Sequence, residues 1–122
     1  MQYMLLIYGD EKARPSDLPP EAMQQEMQAW FQYSDWLRAQ GWMVAGDALH
    51  DTDHATTVRV RGGETLTTDG PFAETKEQLG GYYLLECEHL DQALEAAARC
   101  PGALYGSIEV RPIEVFDAPE GG

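Results

Sequence analysis

Two stretches of this chain carry a helical period, and each lies between strand-like runs; that arrangement restricts the fold more than any other feature. The longer spans residues 20–40. Met23, Met27, Trp30, Ser34 and Leu37 recur at spacings of four, three, four and three, and Phe31 widens the stripe they form. Pro19 and Pro20 suit a first helical turn, Asp17 or Ser16 suits a cap before it, and Gly41 is a natural stop. Tyr33 and Trp36 fall off the main stripe, either as aromatics at its edge or as a second patch for another partner. The shorter helix is expected over residues 91–100, with Ala93, Leu94 and Ala97 on its apolar side. Asp91 near its start and Arg99 near its end both suit the helix dipole, and Pro101 ends it.

The strands follow from the remaining patterns. Residues 2–8 (QYMLLIY) are almost continuously apolar, as a central strand is. Residues 42–49 (WMVAGDAL) predict a second strand with Gly46 as a weak point or bulge. Residues 55–61 and 64–68 flank Gly62-Gly63, the signal of a tight hairpin that would set Arg61 opposite Glu64. Residues 82–87 and 107–113 complete the set, and Pro112 suits an edge strand or a strand end. The order β-α-β-(β-β)-β-α-β predicts an α+β chain, a ferredoxin-like subunit with an antiparallel sheet and both helices on one face. Two helices cover only that face. The unbroken apolarity of the first strand therefore predicts a homodimer, two sheets facing each other with a cleft between or beside them.

The chain has 122 residues, the size of one domain, assigned to residues 1–115 with a flexible tail over 116–122. Its 21 acidic and 8 basic residues give a formal charge of −13. Such a balance opposes binding to nucleic acid or to an anionic membrane surface, both of which need basic patches. It reads as solubility, or as an acidic mouth that steers a cationic ligand. The two cysteines, Cys87 and Cys100, form no CxxC motif and read as buried free thiols. The opening MQYMLLIYGDEK lacks a basic n-region and is too short for a signal peptide or a membrane span, so a cytoplasmic location is expected.

Between the hairpin and the next strand lies Asp69-Gly70-Pro71-Phe72-Ala73-Glu74-Thr75-Lys76-Glu77-Gln78-Leu79-Gly80-Gly81. Strand connections usually run about 4–6 residues, and longer ones tend to be functional or disordered. Asp69 either caps its own turn or serves as a general acid or base, which needs a carboxyl in a low-dielectric place. Phe72 is either a core plug or a ligand-stacking wall. Glu74, Lys76 and Glu77 suit an ion network with Arg59, Arg61 or Arg111, or a ligand site; a divalent metal would need more oxygen donors. Arg111 suits an ion pair or a bidentate clamp on a substrate carboxylate. Of Tyr82 and Tyr83, alternation sends one to the core and the other to the opposite face, where its hydroxyl would be available. His50 and His54 flank two aspartates, but on a turn rather than a helix, so no metal site is assigned. No cofactor and no nucleophile motif is read from the chain.

The string Thr68-Asp69-Gly70-Pro71-Phe72-Ala73-Glu74-Thr75-Lys76-Glu77, followed by Gly80-Gly81-Tyr82-Tyr83, resembles the signature of DGPF-domain proteins in the wider YCII-related superfamily. Collinear pieces extend the resemblance over residues 1–115: Met4-Leu5-Leu6-Ile7-Tyr8, Ala45-Gly46 with Leu49, Ala98-Arg99-Cys100-Pro101, and Glu109-Val110-Arg111-Pro112-Ile113. It implies a dimeric α/β barrel of ferredoxin-like subunits, a bacterial source, and a frequent association with extracytoplasmic-function sigma factors. Some relatives are enzymes, one of them dehalogenating, for which a His–Asp pair with its histidine on the first helix is proposed. Residues 20–40 contain no histidine; His50, His54 and His89 lie in or near loops, and only Asp69 stands where the acidic partner is expected. Two functions therefore remain. One is a dimer that binds a small molecule or a protein partner at its cleft in sigma-factor-linked regulation. The other is a cofactor-independent lyase or isomerase with Asp69 as acid/base and Phe72, Glu74, Lys76, Glu77, Arg111, Tyr82 and Tyr83 around the ligand.

Overall fold

The computed structural model describes residues 1–13 and 17–117. The elements run β1 (Gln2–Gly9), α1 (Pro20–Gln40), β2 (Met43–Ala48), β3 (Thr56–Arg61), β4 (Glu64–Asp69), β5 (Gln78–Glu86), α2 (Leu90–Arg99) and β6 (Ser107–Pro112). The four-stranded sheet has the order β2-β5-β1-β6, and every neighbouring pair is antiparallel. This is the ferredoxin-like α+β arrangement, with β1 central and β6 at an edge that tolerates Pro112. The β3–β4 hairpin does not extend this sheet; it forms a two-stranded sheet of its own. Its turn glycines sit at φ +57° and +80°, which two L-residues with side chains would resist, and the register sets Arg61 opposite Glu64.

The core lies between the sheet and the helices. Tyr3 and Leu5 of β1, Tyr83 and Leu85 of β5, Tyr33 and Leu37 of α1, and Ala93 and Ala96 of α2 are buried together with Cys87 and Cys100. Both thiols are free, as the sequence implies. The expected face of α1 needs correction. Tyr33, placed off the stripe, is a core residue, whereas Met27 and Phe31 are 55% and 63% exposed and Met23 is exposed too. The aromatic path decides the rotation: Trp30 stacks on Tyr83, Tyr33 meets Tyr83 edge-on, and Trp36 meets Trp42 edge-on. Burying that cluster removes more apolar surface than the thinner methionine stripe would. On α2 the buried pair is Ala93 and Ala96, and Leu94 is exposed.

Helix ends follow the sequence in part. Gly41 stands at φ +77° and its N–H donates to the Arg38 and Leu37 carbonyls, the αL stop expected there. At the other end Pro19 occupies the cap position, and no side chain caps the helix; Asp17 does not serve, and Ser16 lies outside the described residues. The Tyr33 hydroxyl donates to the Ala96 carbonyl at 2.5 Å, one of the last-turn carbonyls of α2 that lack a helical partner. That bond ties the two helices together. In β2 the irregularity falls between Met43 and Ala45 rather than at Gly46, and Gly46 faces the Tyr83 ring, where a Cβ would come within 2.7 Å of a ring carbon. Of the expected tail over 116–122, residues 118–122 lie outside the described residues.

Candidate functional site

The loop after β4 is shorter than the sequence implies, because Gln78 through Gly81 already belong to β5. Gly81 is needed there. A Cβ on it would lie 2.9 Å from the Asp47 carbonyl oxygen of β2, so the two backbones pair only without a side chain. The remaining segment, residues 70–77, is fastened at both ends. Gly70, at φ +102°, donates its N–H to the Ala55 carbonyl at 2.7 Å, and the Thr57 hydroxyl donates to the Gly70 carbonyl at 2.8 Å. Arg59 donates to the Phe72 carbonyl at 3.2 Å. Farther along, the Gln78 amide donates to the Thr75 carbonyl and accepts the Glu11 N–H at 2.9 Å. The Glu11 carboxylate accepts from the Thr52 N–H at 2.9 Å and the Thr52 hydroxyl at 2.7 Å. Glu77 accepts from the Ser107 hydroxyl at 2.8 Å, which joins the loop to β6.

The predicted site residues divide by place. Asp69 ends β4, exposed, and its carboxylate has no hydrogen bond among the described residues, so it does not cap its turn. Phe72 is 75% exposed. Glu74 and Lys76 are exposed; among the described residues neither Glu74 nor Glu77 pairs with Arg59, Arg61 or Arg111, and Lys76 is in no ion pair. Tyr83 faces the helices and its hydroxyl shares a 2.9 Å hydrogen bond with Ser34; burial raises its pKa above the usual 10.

Tyr82 and Arg111 occupy the opposite face of the sheet, which no helix covers among the described residues. The register places Ala45, Leu84, Met4 and Arg111 in one row across that face, and Asp47, Tyr82, Leu6 and Glu109 in the next. Tyr8 follows beside Leu79 and Ser107. Ordinary strand spacings put the Arg111 and Tyr82 backbones about 12 Å apart, two strands across and two residues along. β2 flanks β5 on the side away from the strand of Arg111, so the Tyr82 hydroxyl turns from Arg111. The Tyr82 hydroxyl donates to the Asp47 carboxylate at 2.6 Å, and that bond, with the negative charge of Asp47, raises the tyrosine pKa. Its proton is thereby committed, and its oxygen offers lone pairs. Arg111 has no hydrogen bond or ion pair among the described residues.

The sequence reading missed Asp47, Glu11, Thr52, Gln78 and Ser107. Asp47 becomes legible only once β2 is registered against β5, and the Glu11–Thr52 contact joins two polar turns 41 positions apart. His50 and His54 approach with ring centroids 4.9 Å apart and planes tilted by 36°, both exposed. Among the described residues no three His, Cys, Asp or Glu side chains gather to hold a metal, and no helix is long and apolar enough to cross a membrane.

The YCII-related domain matches residues 1–117. An uncharacterized protein of Rhizobium meliloti (strain 1021) is 49% identical over 74 residues, 59% of this chain and 60% of that relative's length. Among solved structures, a 5-chloro-2-hydroxyhydroquinone dehydrochlorinase from Burkholderia phenoliruptrix, in complex with 2,5-dihydroxybenzoquinone, is similar over 99% of this chain and 98% of its own. The sequence identity is 16% and the TM-score 0.48.

Proposed function

The chain belongs to the YCII-related family, and from that premise we propose that it acts as a homodimer whose open sheet faces meet around a site for a small organic acid. The observation that carries the reading is the uncovered face itself. Met4, Leu6, Tyr82 and Leu84 alternate with core residues along β1 and β5, and among the described residues neither helix packs on them. Two such faces stacked about 10 Å apart would bury them, at about 25 cal/mol for each Å² of apolar surface.

The chemistry of the face selects the ligand. Arg111 would clamp a carboxylate through paired N–H donors. Met4, Leu6 and Leu84 form an apolar floor for a ring, and the Tyr82 oxygen, with its proton held by Asp47, accepts from a ligand hydroxyl. A small carboxylic or phenolic acid meets all three. Phe72, Glu74, Lys76 and Glu77 would form the rim, and Tyr83 would support the floor from below. Coupling to an extracytoplasmic-function sigma factor is the regulatory setting such a ligand-responsive dimer would serve.

One observation favours the enzymatic alternative, a cofactor-independent lyase or isomerase: the Asp69 carboxylate is not spent on its own turn. Light scattering measures the mass, and thermal shift against small carboxylic and phenolic acids measures binding. The expected result is a dimer stabilised by such acids, with the shift reduced in Arg111→Gln and Tyr82→Phe. Asp69→Asn retains binding if the protein only binds and loses turnover if it is an enzyme. A monomer, or shifts unaltered in both binding variants, refutes the proposal.

A further inference from the structure

The β3–β4 hairpin has two unequal faces. Thr57, Arg59, Arg61, Glu64, Leu66 and Thr68 share one, and the chain's own loop folds back on it: Thr57 bonds Gly70, Arg59 bonds Phe72, and both are half-buried. Thr56, Val58, Val60, Thr65, Thr67 and Asp69 share the other, and all six are exposed, with Val58 and Val60 at 59% each. A lone two-stranded ribbon is at best marginally stable in water. Five of these six residues are β-branched, a composition that fits a half-buried pleated surface rather than a wet one.

We infer that this bare face of the hairpin is covered by a second copy of the chain, so that Asp69 is enclosed only in the assembled protein. Charge favours that occupant. Each copy carries −13, and two copies approach most easily where acid is scarce. The hairpin face has one charged residue, Asp69, at the end nearest the loop. Area favours it as well. Four strands of the observed lengths give an open sheet face of about 450 Å² in projection, against about 800 Å² buried per partner in a standard stable interface. The hairpin face adds about 200 Å² and brings the contact toward that size. Because Asp69 lies on the valine face, whatever covers Val58 and Val60 covers Asp69 too. The carboxylate assigned to the site then acquires its surroundings from the partner copy.

This inference rests on the homodimer reading, and the test separates the two. Hydrogen exchange is followed on the full wild-type chain at low and high protein concentration, with sedimentation reporting mass. The expected result is a dimer in which amides of residues 57–68 slow by about tenfold or more as the dimer forms. Val58→Asp and Val60→Asp should each weaken dimerisation about tenfold or more, while β1 and β5 amides keep their protection and so report an intact fold. A dimer whose hairpin amides exchange equally fast at both concentrations overturns the hairpin contact and leaves the sheet-face dimer standing. Hairpin protection already complete in a monomer overturns it in favour of the chain's own sheet. A monomer at every concentration, with an unprotected hairpin, overturns both.

Discussion

Replacing Tyr33 by phenylalanine removes one oxygen from the core and leaves the ring in place between Trp30, Trp36 and Tyr83. The hydroxyl donates to Ala96, whose carbonyl lies in the last turn of α2, so the Tyr33→Phe variant leaves a buried acceptor without its partner. That loss costs about 1–2 kcal/mol at neutral pH. The difference should then shrink in alkali. Burial holds the Tyr33 phenol far above its ordinary 10.0, with Cys100 and Tyr83 pushing the same way. Above pH 10 the unfolded chain releases this proton while the folded chain keeps it. The unfolded state then binds fewer protons, and wild-type stability falls by about 1.4 kcal/mol for each further pH unit. The variant has no such proton at this position, so the two stabilities should converge near pH 11. Urea unfolding followed by circular dichroism, at one fixed protein concentration and several pH values, measures this directly. A difference that stays constant from pH 7 to 11, or that is absent at pH 7, would refute the assignment of the Tyr33 hydroxyl to a dry bond between the helices.

Cys100→Ala should cost about 1 kcal/mol at neutral pH, the loss of one buried group. Burial pushes the thiol from 9.0 up to about 11, against the nearby Gly102 and Ala103 backbone N–H groups that pull it down. The wild type therefore loses up to about 3 kcal/mol of thiol-linked stability between those pH values, and the variant should lack that part of the alkaline slope in the same titration. Gly81→Ala should destabilise by about 1–3 kcal/mol, because its Cβ would meet the Asp47 carbonyl oxygen at 2.9 Å and backbone yields poorly; a neutral urea midpoint would contradict the close pairing of β2 and β5. Leu6→Asp, on the open face opposite Tyr82, should convert the proposed dimer to a monomer by sedimentation while circular dichroism stays unchanged; a persistent dimer would move the interface elsewhere.

How much the amino-acid order settles can be seen residue by residue. The run Gln2–Tyr8 declares a central strand because apolar residues fill both of its faces, and Gly41 and Gly62-Gly63 declare their turns because positive φ is costly to other residues. Such signals are local and survive in one dimension. The ferredoxin-like order follows from them. The rotation of α1 does not: two stripes compete on that helix, and only the sheet beneath it, with Tyr83 and Trp42 in place, makes Tyr33 the buried residue and leaves Phe31 in water. Asp47 meets Tyr82 because a bulge shifts the register of β2, and Glu11 meets Thr52 because the ends of distant elements converge. These are distances between chain segments, set by packing rather than by neighbours in sequence. Asp69, Phe72 and Arg111 were legible as chemistry, yet where they stand relative to Tyr82, and that Asp69 shares a bare face with Val58 and Val60, was decided only when the hairpin and the sheet took their separate places.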